Sequence, residues 1–189
     1  MDRNGRVSAV KEFLLLQEQF GFLPEHGVKI SAKGTSIYDS PRGKVGVHVP
    51  LFEAGLRLPM SDFLDMIVYD YIFSVDELTP SVVNKIVGFE LIRQSPVCIP
   101  TCWVFSYFFC ASTNSGVCTL AKRRGIRQLI SKQDNPKKNW QRQWLWVNRN
   151  LVGHGFRKTH DFPNRLPKLF GDNLVLGKQL GNIIVVGEN

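Results

Sequence analysis

Acidic side chains are the first candidates for chemistry, because two-metal reactions at phosphate esters need carboxylates that converge on the ions. The candidates in this 189-residue chain are Asp39, Asp62, Asp65, Asp70, Asp76 and Glu77. Three of them, Asp62, Asp65 and Asp70, fall on one predicted amphipathic helix, and we interpret them as its solvated face. Catalytic carboxylates of this kind lie at the ends of strands in a mainly parallel sheet, a pattern that the chain lacks. We therefore predict no catalytic residue and no metal site.

The chain has four cysteines, separated by three, seven and seven residues: Cys98, Cys102, Cys110 and Cys118. This spacing does not match a zinc finger or knuckle, and apolar neighbours predict buried thiols. A nucleophilic pair of Cys110 with His154 or His160 would need a lowered thiol pKa, whereas apolar surroundings raise it. An aspartic protease is excluded because no Asp-Thr/Ser-Gly triplet is present. No cofactor is expected.

Basic residues are concentrated in the last third of the chain. Residues 1–120 carry 10 Lys/Arg and 12 Asp/Glu, a net charge of −2, whereas residues 121–189 carry 14 Lys/Arg and 4 Asp/Glu, a net charge of +10. Because Lys and Arg displace counterions from phosphates, this asymmetry indicates RNA or DNA as a partner. The alternative is a solvated basic surface without a specific partner. The candidate phosphate-binding residues are Lys122, Arg123, Arg124, Arg127, Lys137, Lys138, Arg142 and Arg149.

Tryptophans lie among these basic residues. Trp144 and Trp146 alternate with Leu145 and Val147, so one face of a predicted strand would carry two indoles, and Trp140 precedes them. Aromatic rings beside cations can stack on unpaired bases. The alternative, which we prefer, is that these rings close the core beneath a sheet.

Helical periodicity dominates the first part of the chain. Ser8–Phe20 has a partial apolar stripe, Ser61 is an N-cap candidate, and Thr79-Pro80 marks the start of a further helix. The uncharged stretch Ser95–Ala121 contains only about 15 densely apolar residues, fewer than the ~20 of a membrane span. We therefore predict a buried helix over Cys102–Ala111 and no contact with a membrane.

Short β-like pieces occur on both sides of this helical region. Val28–Ile30 and Val45–Val49 are candidates for pairing with each other. Three later pieces, separated by turn residues, predict a small antiparallel sheet: Val117–Ala121, Arg127–Lys132 and Arg142–Val147. The predicted fold class is α+β, with a mostly helical N-terminal two-thirds followed by a small antiparallel β-sheet.

An ordered set of short motifs extends along the chain. It comprises Phe52-Glu-Ala-Gly-Leu-Arg-Leu-Pro59, Phe63-Leu64 at the start of a helix, Glu77-Leu-Thr-Pro80, and downstream Lys138-Asn-Trp140 and Trp144-Leu-Trp-Val147. With these motifs the chain resembles the plant gypsy-type transposon domain, also called the gypsy-type transposase domain. The residues that define the resemblance are Gly55, Leu56, Arg57, Leu58, Pro59, Phe63, Leu78, Thr79, Pro80 and Trp140.

The resemblance implies an origin in retrotransposon-derived sequence, on the gag-like side of an element, and it brings no catalytic residues with it. The domain is predicted over residues 8–168, with a helical body at 50–111 and a basic β part at 117–150, followed by a C-terminal extension, 169–189, that could be truncated.

We therefore predict a gag-like, non-catalytic protein with a nucleic-acid-contacting region and a helical body that self-associates. The alternatives are a protein–protein interaction module without nucleic-acid binding, and a fragment of a transposase or integrase. Because no secretory signal is recognised, an intracellular protein of the nucleus or cytoplasm is expected.

Overall fold

The computed structural model describes residues 10–31, 34–93, 100–114, 117–130 and 140–155. The helices in these residues are α1 (Val10–Phe20), α2 (Val49–Glu53), α3 (Asp62–Asp70), α4 (Pro80–Arg93) and α5 (Cys102–Phe108). The strands are β1 (Lys29–Ile30), β2 (Lys44–His48), β3 (Phe109–Asn114), β4 (Val117–Lys122) and β5 (Trp144–Asn148). Short 3-10 turns lie at Pro24–His26, Val75–Glu77, Trp140–Arg142 and Arg149–Gly155. These elements confirm the predicted α+β class.

Helix α1 lies at the edge of the core and confirms the first predicted helix. Its half-buried residues Phe13, Leu16 and Phe20 pack against buried residues of the core. The ring of Phe20 lies 5.6 Å, centroid to centroid, from that of Phe52 in α2. The opposite side of α1 faces solvent.

Helices α3 and α4 begin at the two predicted caps. Ser61 Oγ accepts a hydrogen bond from the backbone N–H of Leu64, and Thr79 Oγ1 accepts one from Val82, both at 3.2 Å. Ser61 Oγ also donates to Glu90 Oε2 in α4 at 2.8 Å, so the first cap joins the two helices.

Aromatic rings from three helices and a strand meet at Phe105 of α5, which is fully buried. Its ring lies 5.9 Å from Phe63, 5.2 Å from Phe89 and 4.8 Å from Phe109. Aromatic rings bury a large apolar area, so this cluster stabilises the packing of the helices on β3. Within the described residues, no helix has both the length and the apolar content to cross a bilayer.

A three-stranded antiparallel sheet has the order β1-β5-β2. The predicted pairing between the pieces at residues 28–30 and 45–49 is therefore wrong, because β5 lies between β1 and β2 and pairs with each of them. Trp144, Leu145, Trp146 and Val147 are all buried. A central strand that is covered on both faces has a continuous apolar sequence rather than an alternating one.

The second sheet is the antiparallel hairpin of β3 and β4. The predicted helix over Cys102–Ala111 is correct only as far as Phe108, because Phe109 is extended and pairs with Lys122. A short apolar run does not by itself distinguish a buried helix from a strand.

The three-stranded sheet predicted for residues 117–147 does not form, since β4 pairs with β3 and β5 joins the other sheet. Residues 127–130 of the predicted middle piece, Arg127–Lys132, are not a strand. The apolar residues here, Leu129 and Ile130, are adjacent in sequence and do not alternate as one face of a strand requires. Both pack against the core, as does the preceding Ile126.

Candidate nucleic-acid interface

The last residue of β4, Lys122, and the turn after it contain four of the predicted phosphate-binding residues. We call residues 122–127 the basic loop; its cations are Lys122, Arg123, Arg124 and Arg127. The backbone N–H of Ile126 bonds to the carbonyl of Arg123 at 3.4 Å, which closes the turn. Gly125 has a φ of +81°, and a Cβ at this position would meet no atom within 4 Å, so the turn is uncrowded and open to solvent here.

Arg123 anchors the basic loop to helix α5. Its backbone N–H donates to the carbonyl of Phe108 at 2.9 Å, which extends the hairpin ladder. Its Nε donates to the carbonyl of Ser106 at 2.6 Å, and the side chain is half-buried. The charge of Arg123 therefore lies at the base of the loop and has a structural partner.

Apolar side chains hold the other end of the basic loop. Ile126, Leu129 and Ile130 are half-buried against the core, and Ile130 packs over Gly88 of α4. A methyl group at Gly88 would approach the Ile130 side chain to 3.3 Å, so the close fit depends on the glycine. The loop is thus attached at both ends to packed elements.

The remaining cations of the basic loop are exposed. Lys122, Arg124 and Arg127 face solvent, although Lys122 Nζ also donates to the carbonyl of Ile126 at 2.6 Å. Residues 117–130 contain no Asp or Glu, so no carboxylate of this segment neutralises them. A group of exposed cations without local anions gives a positive surface potential that attracts polyanions.

Two of the other predicted cations lie on elements that are separate from the basic loop. Arg142 lies in the turn before β5 and Arg149 follows β5, and both side chains are exposed. They are separated by a five-residue strand, a length of roughly 17 Å. Lys137 and Lys138 lie outside the described residues.

The tryptophans are part of the protein interior, which confirms the preferred interpretation of their spacing. Trp144 and Trp146 are only 5% and 4% exposed, with their rings in edge-to-face contact at 4.4 Å. Trp140 is half-buried and meets the ring of His48 at 4.9 Å. Stacking of bases on Trp144 and Trp146 is excluded by this burial.

The predicted solvated face of α3 is partly wrong. Asp65 is half-buried and accepts two hydrogen bonds from His154, from the backbone N–H at 2.6 Å and from Nδ1 at 2.8 Å. Gly153 allows this contact, because a Cβ there would overlap the Asp65 carboxylate. No local pattern signals this pair, because its members are separated by 89 positions.

Asp76 and Glu77 belong to a local hydrogen-bonded turn. The backbone N–H of Ser74 donates to Glu77 Oε2 at 3.3 Å, and Ser74 Oγ donates to Asp76 Oδ1. Burial, with a further contribution from Asp76, raises the pKa of Glu77 to about 7. In the described part of the chain, no group of three or more His, Cys, Asp or Glu side chains is arranged to hold a metal ion.

The cysteines that the structure describes are Cys102, Cys110 and Cys118. Cys102 and Cys118 are buried, and burial raises the pKa of both thiols, which opposes formation of a nucleophilic thiolate. Cys110 is half-buried and its Sγ donates to the carbonyl of Ala121 at 3.4 Å. Cys98 and His160 lie outside the described residues.

Most of the residues that define the family resemblance lie in the helical body, and the exception is Trp140. Leu56, Phe63 and Leu78 are buried, and Arg57 donates from its NH1 nitrogen to the carbonyls of Phe52 and Leu56, at 3.0 and 2.8 Å. Gly55 has a positive φ and packs on Val87, and the half-buried Leu58 precedes the cis proline Pro59. Thr79 caps α4, and Pro80 is in its first turn. Trp140 packs its ring against His48.

Lys85 is a cation whose position no sequence pattern indicates. From the middle of α4 its Nζ donates to the carbonyl of Leu120 at 2.7 Å and to Ser81 Oγ at 3.1 Å. Partial burial lowers the pKa of this amine. A lone lysine within a helical pattern is usually solvated, so the sequence offered no reason to place it against β4.

No curated protein matches this chain, and no solved structure matches it. A family model matches from β2 to β3, so the motif residues between Gly55 and Pro80 lie inside the matched segment and the basic loop lies beyond it. The family is described as "Putative gypsy type transposon", and its match to residues 45–113 confirms the resemblance of this segment to that family.

Proposed function

We propose that this chain is a gag-like, non-catalytic protein of a gypsy-type element, and that it contacts the phosphates of RNA or DNA through the basic loop. The helical body serves assembly and supports the loop. The single observation that carries the proposal is the exposure of Lys122, Arg124 and Arg127 on one anchored loop without a local carboxylate.

Anchoring favours binding because it lowers the entropy lost when a loop is ordered against a ligand. Arg123 fixes the base of the loop through Ser106, and Ile130 fixes its far end on Gly88. The exposed arginines between these points keep their donors directed outward, where each can form charge-assisted hydrogen bonds with phosphate.

The mode of contact is expected to be independent of sequence. Phosphate contacts position a protein but carry no base information, and the two indoles of β5 are buried and unavailable for stacking. We therefore expect affinity that does not depend on base sequence, with a duplex bound more tightly than a single strand of the same length because its phosphates are more closely spaced. We expect no requirement for a divalent metal.

The test compares two double variants with the same change in net charge. Arg124→Gln/Arg127→Gln removes two cations from the basic loop, whereas Lys29→Gln/Arg42→Gln removes two exposed cations elsewhere. Binding of a labelled oligonucleotide is followed by fluorescence anisotropy at low salt and in EDTA. The loop variant should weaken binding by about tenfold or more, because each contact with a charged donor contributes ~1 kcal/mol or more.

Equal weakening by the two double variants would mean that binding follows net charge and not the loop. Absence of binding by the unmodified chain at low salt would exclude the nucleic-acid function and would favour a protein–protein interaction module. Binding that is lost in EDTA and restored by magnesium would favour the transposase or integrase alternative.

A further inference from the structure

Helix α1 has a solvent-facing apolar surface that neither the core nor the proposed nucleic-acid contact uses. Val10, Leu14 and Leu15 are 69%, 56% and 66% exposed. Leu14 and Leu15 are adjacent and form a contiguous exposed apolar pair on one short helix, and contiguous exposed apolar surface is typical of interaction sites.

The exposed surface lies directly opposite the side that packs on the core. At 3.6 residues per turn, the exposed Lys11, Leu14, Leu15 and Glu18 fall within roughly 100° of the helix circumference. The inward residues Phe13, Leu16 and Phe20 occupy the other side. Glu12 is also held inward, since its Oε1 lies 3.5 Å from Nε2 of Gln143, which donates to it.

The order of these four exposed residues is self-complementary. A two-fold axis midway between Leu14 and Leu15 would place two copies of α1 antiparallel, with each Leu14 opposite Leu15 of the second copy. The same operation places each Lys11 opposite Glu18 of the second copy. A single two-fold axis therefore gives an apolar centre flanked by two opposite-charge pairs. The surface is self-complementary, which is what an isologous interface requires.

We propose that α1 mediates association of two copies of this chain through this antiparallel contact. The charges select the orientation, because a parallel arrangement would place Lys11 against Lys11 and Glu18 against Glu18. An 11-residue helix is only about 16 Å long, so the contact is smaller than a standard interface of roughly 800 Å² per partner. The dimer is accordingly weak and reversible.

The test measures the dimer dissociation constant of the full chain by sedimentation equilibrium, without nucleic acid, up to about 1 mM, a range suited to small interfaces. Lys11→Glu and Glu18→Lys should each weaken association by at least about threefold, because each change converts two attractive pairs into two repulsive ones. The double variant Lys11→Glu/Glu18→Lys should restore the dissociation constant to within about twofold of the unmodified chain, because both pairs are attractive again.

Two further variants complete the design. Leu14→Ala/Leu15→Ala should abolish the dimer without unfolding the monomer, because both side chains are exposed, and circular dichroism checks the fold. Lys29→Glu changes the same charge outside α1 and should leave association unchanged. A chain that stays monomeric throughout, or a double charge variant that fails to recover association, would overturn the proposal. Loss of association with intact oligonucleotide binding would separate this contact from the proposed function.

Discussion

Nε of Arg123 donates a hydrogen bond to the carbonyl oxygen of Ser106 at 2.6 Å, whereas its neighbour Arg124 is exposed. Two adjacent arginines of the same turn therefore have different roles. Arg123 joins the end of the hairpin to α5, and Arg124 is directed to solvent, where it can meet a ligand.

Because the two arginines have different partners, substituting one should affect stability and substituting the other should affect oligonucleotide binding. Arg123→Gln should lower the free energy of unfolding by about 1–2 kcal/mol, because a hydrogen bond from a charged donor to a partly buried carbonyl is lost. Arg124→Gln should change stability by less than ~0.5 kcal/mol, as exposed positions usually do, and should weaken oligonucleotide binding. Urea unfolding and anisotropy measure the two properties. Equal stability losses would contradict the assignment.

Glu77 should make the protein less stable as the pH rises. Burial raises its pKa from the usual 4.5 to about 7, so the folded state binds more protons than the unfolded state between these values. Stability is then lost as the pH increases from 4.5 through 7, by roughly 2–3 kcal/mol. Glu77→Gln keeps an acceptor for the N–H of Ser74 and should be more stable than the unmodified chain at pH 8 but not at pH 4.5.

The exposed Glu53 provides a matched control, since Glu53→Gln removes the same charge from the surface. Urea unfolding across pH 4.5–8 compares the slopes of the three proteins. A Glu77→Gln slope identical to that of the unmodified chain would show that Glu77 is not the source of the pH dependence.

His48 should make the protein less stable as the pH falls, whereas Glu77 does so as the pH rises. It is 3% exposed, and burial lowers its pKa from 6.5 to about 4, so the unfolded state binds the extra proton first. Its contribution to stability is complete above pH 6.5 and is lost as the pH falls through 4. His48→Phe keeps an aromatic ring beside Trp140 and should reduce the fall in the free energy of unfolding below pH 6.5, which urea unfolding measures. An unchanged loss of stability in acid would show that groups other than His48 cause it.

Gly153 should be intolerant of substitution. Its φ of +50° and ψ of −127° lie outside the regions that L-residues favour, and a Cβ there would overlap Asp65. Gly153→Ala should therefore cost roughly 2–4 kcal/mol of stability, from backbone strain and loss of the hydrogen bonds from His154. Gly125→Ala, with a positive φ but open space around it, should cost only about 1 kcal/mol. Similar losses of stability in the two variants would show that the contact with Asp65 does not explain the intolerance at Gly153.

Local signals predicted the helices well and the strand partners poorly. Ser61 and Thr79 cap their helices as expected, because capping depends on residues a few positions apart. The pairing of β5 with β1 and β2 joins residues more than 90 positions apart, such as Val47 and Leu145, and no local pattern specifies it. The end of α5 at Phe108 was missed because extension from Phe109 depends on pairing with β4.

The same distinction applies to the candidate interface. The run Lys122-Arg123-Arg124 was recognisable from charge alone, but the sequence did not separate the anchored Arg123 from the exposed Arg124. That difference arises from the carbonyl of Ser106, 17 positions away. Burial of Trp144 and Trp146 likewise depends on tertiary packing on both faces of β5.

The most direct test of phosphate contact by the basic loop is the salt dependence of oligonucleotide affinity. Each neutralised phosphate contributes about 0.9 to the slope of log affinity against log salt for a duplex and about 0.7 for a single strand. The variant Lys122→Gln/Arg124→Gln/Arg127→Gln should therefore lower the magnitude of the duplex slope by roughly 2–3 relative to the unmodified chain. An unchanged slope would contradict the account, because it would place the phosphate contacts elsewhere on the protein.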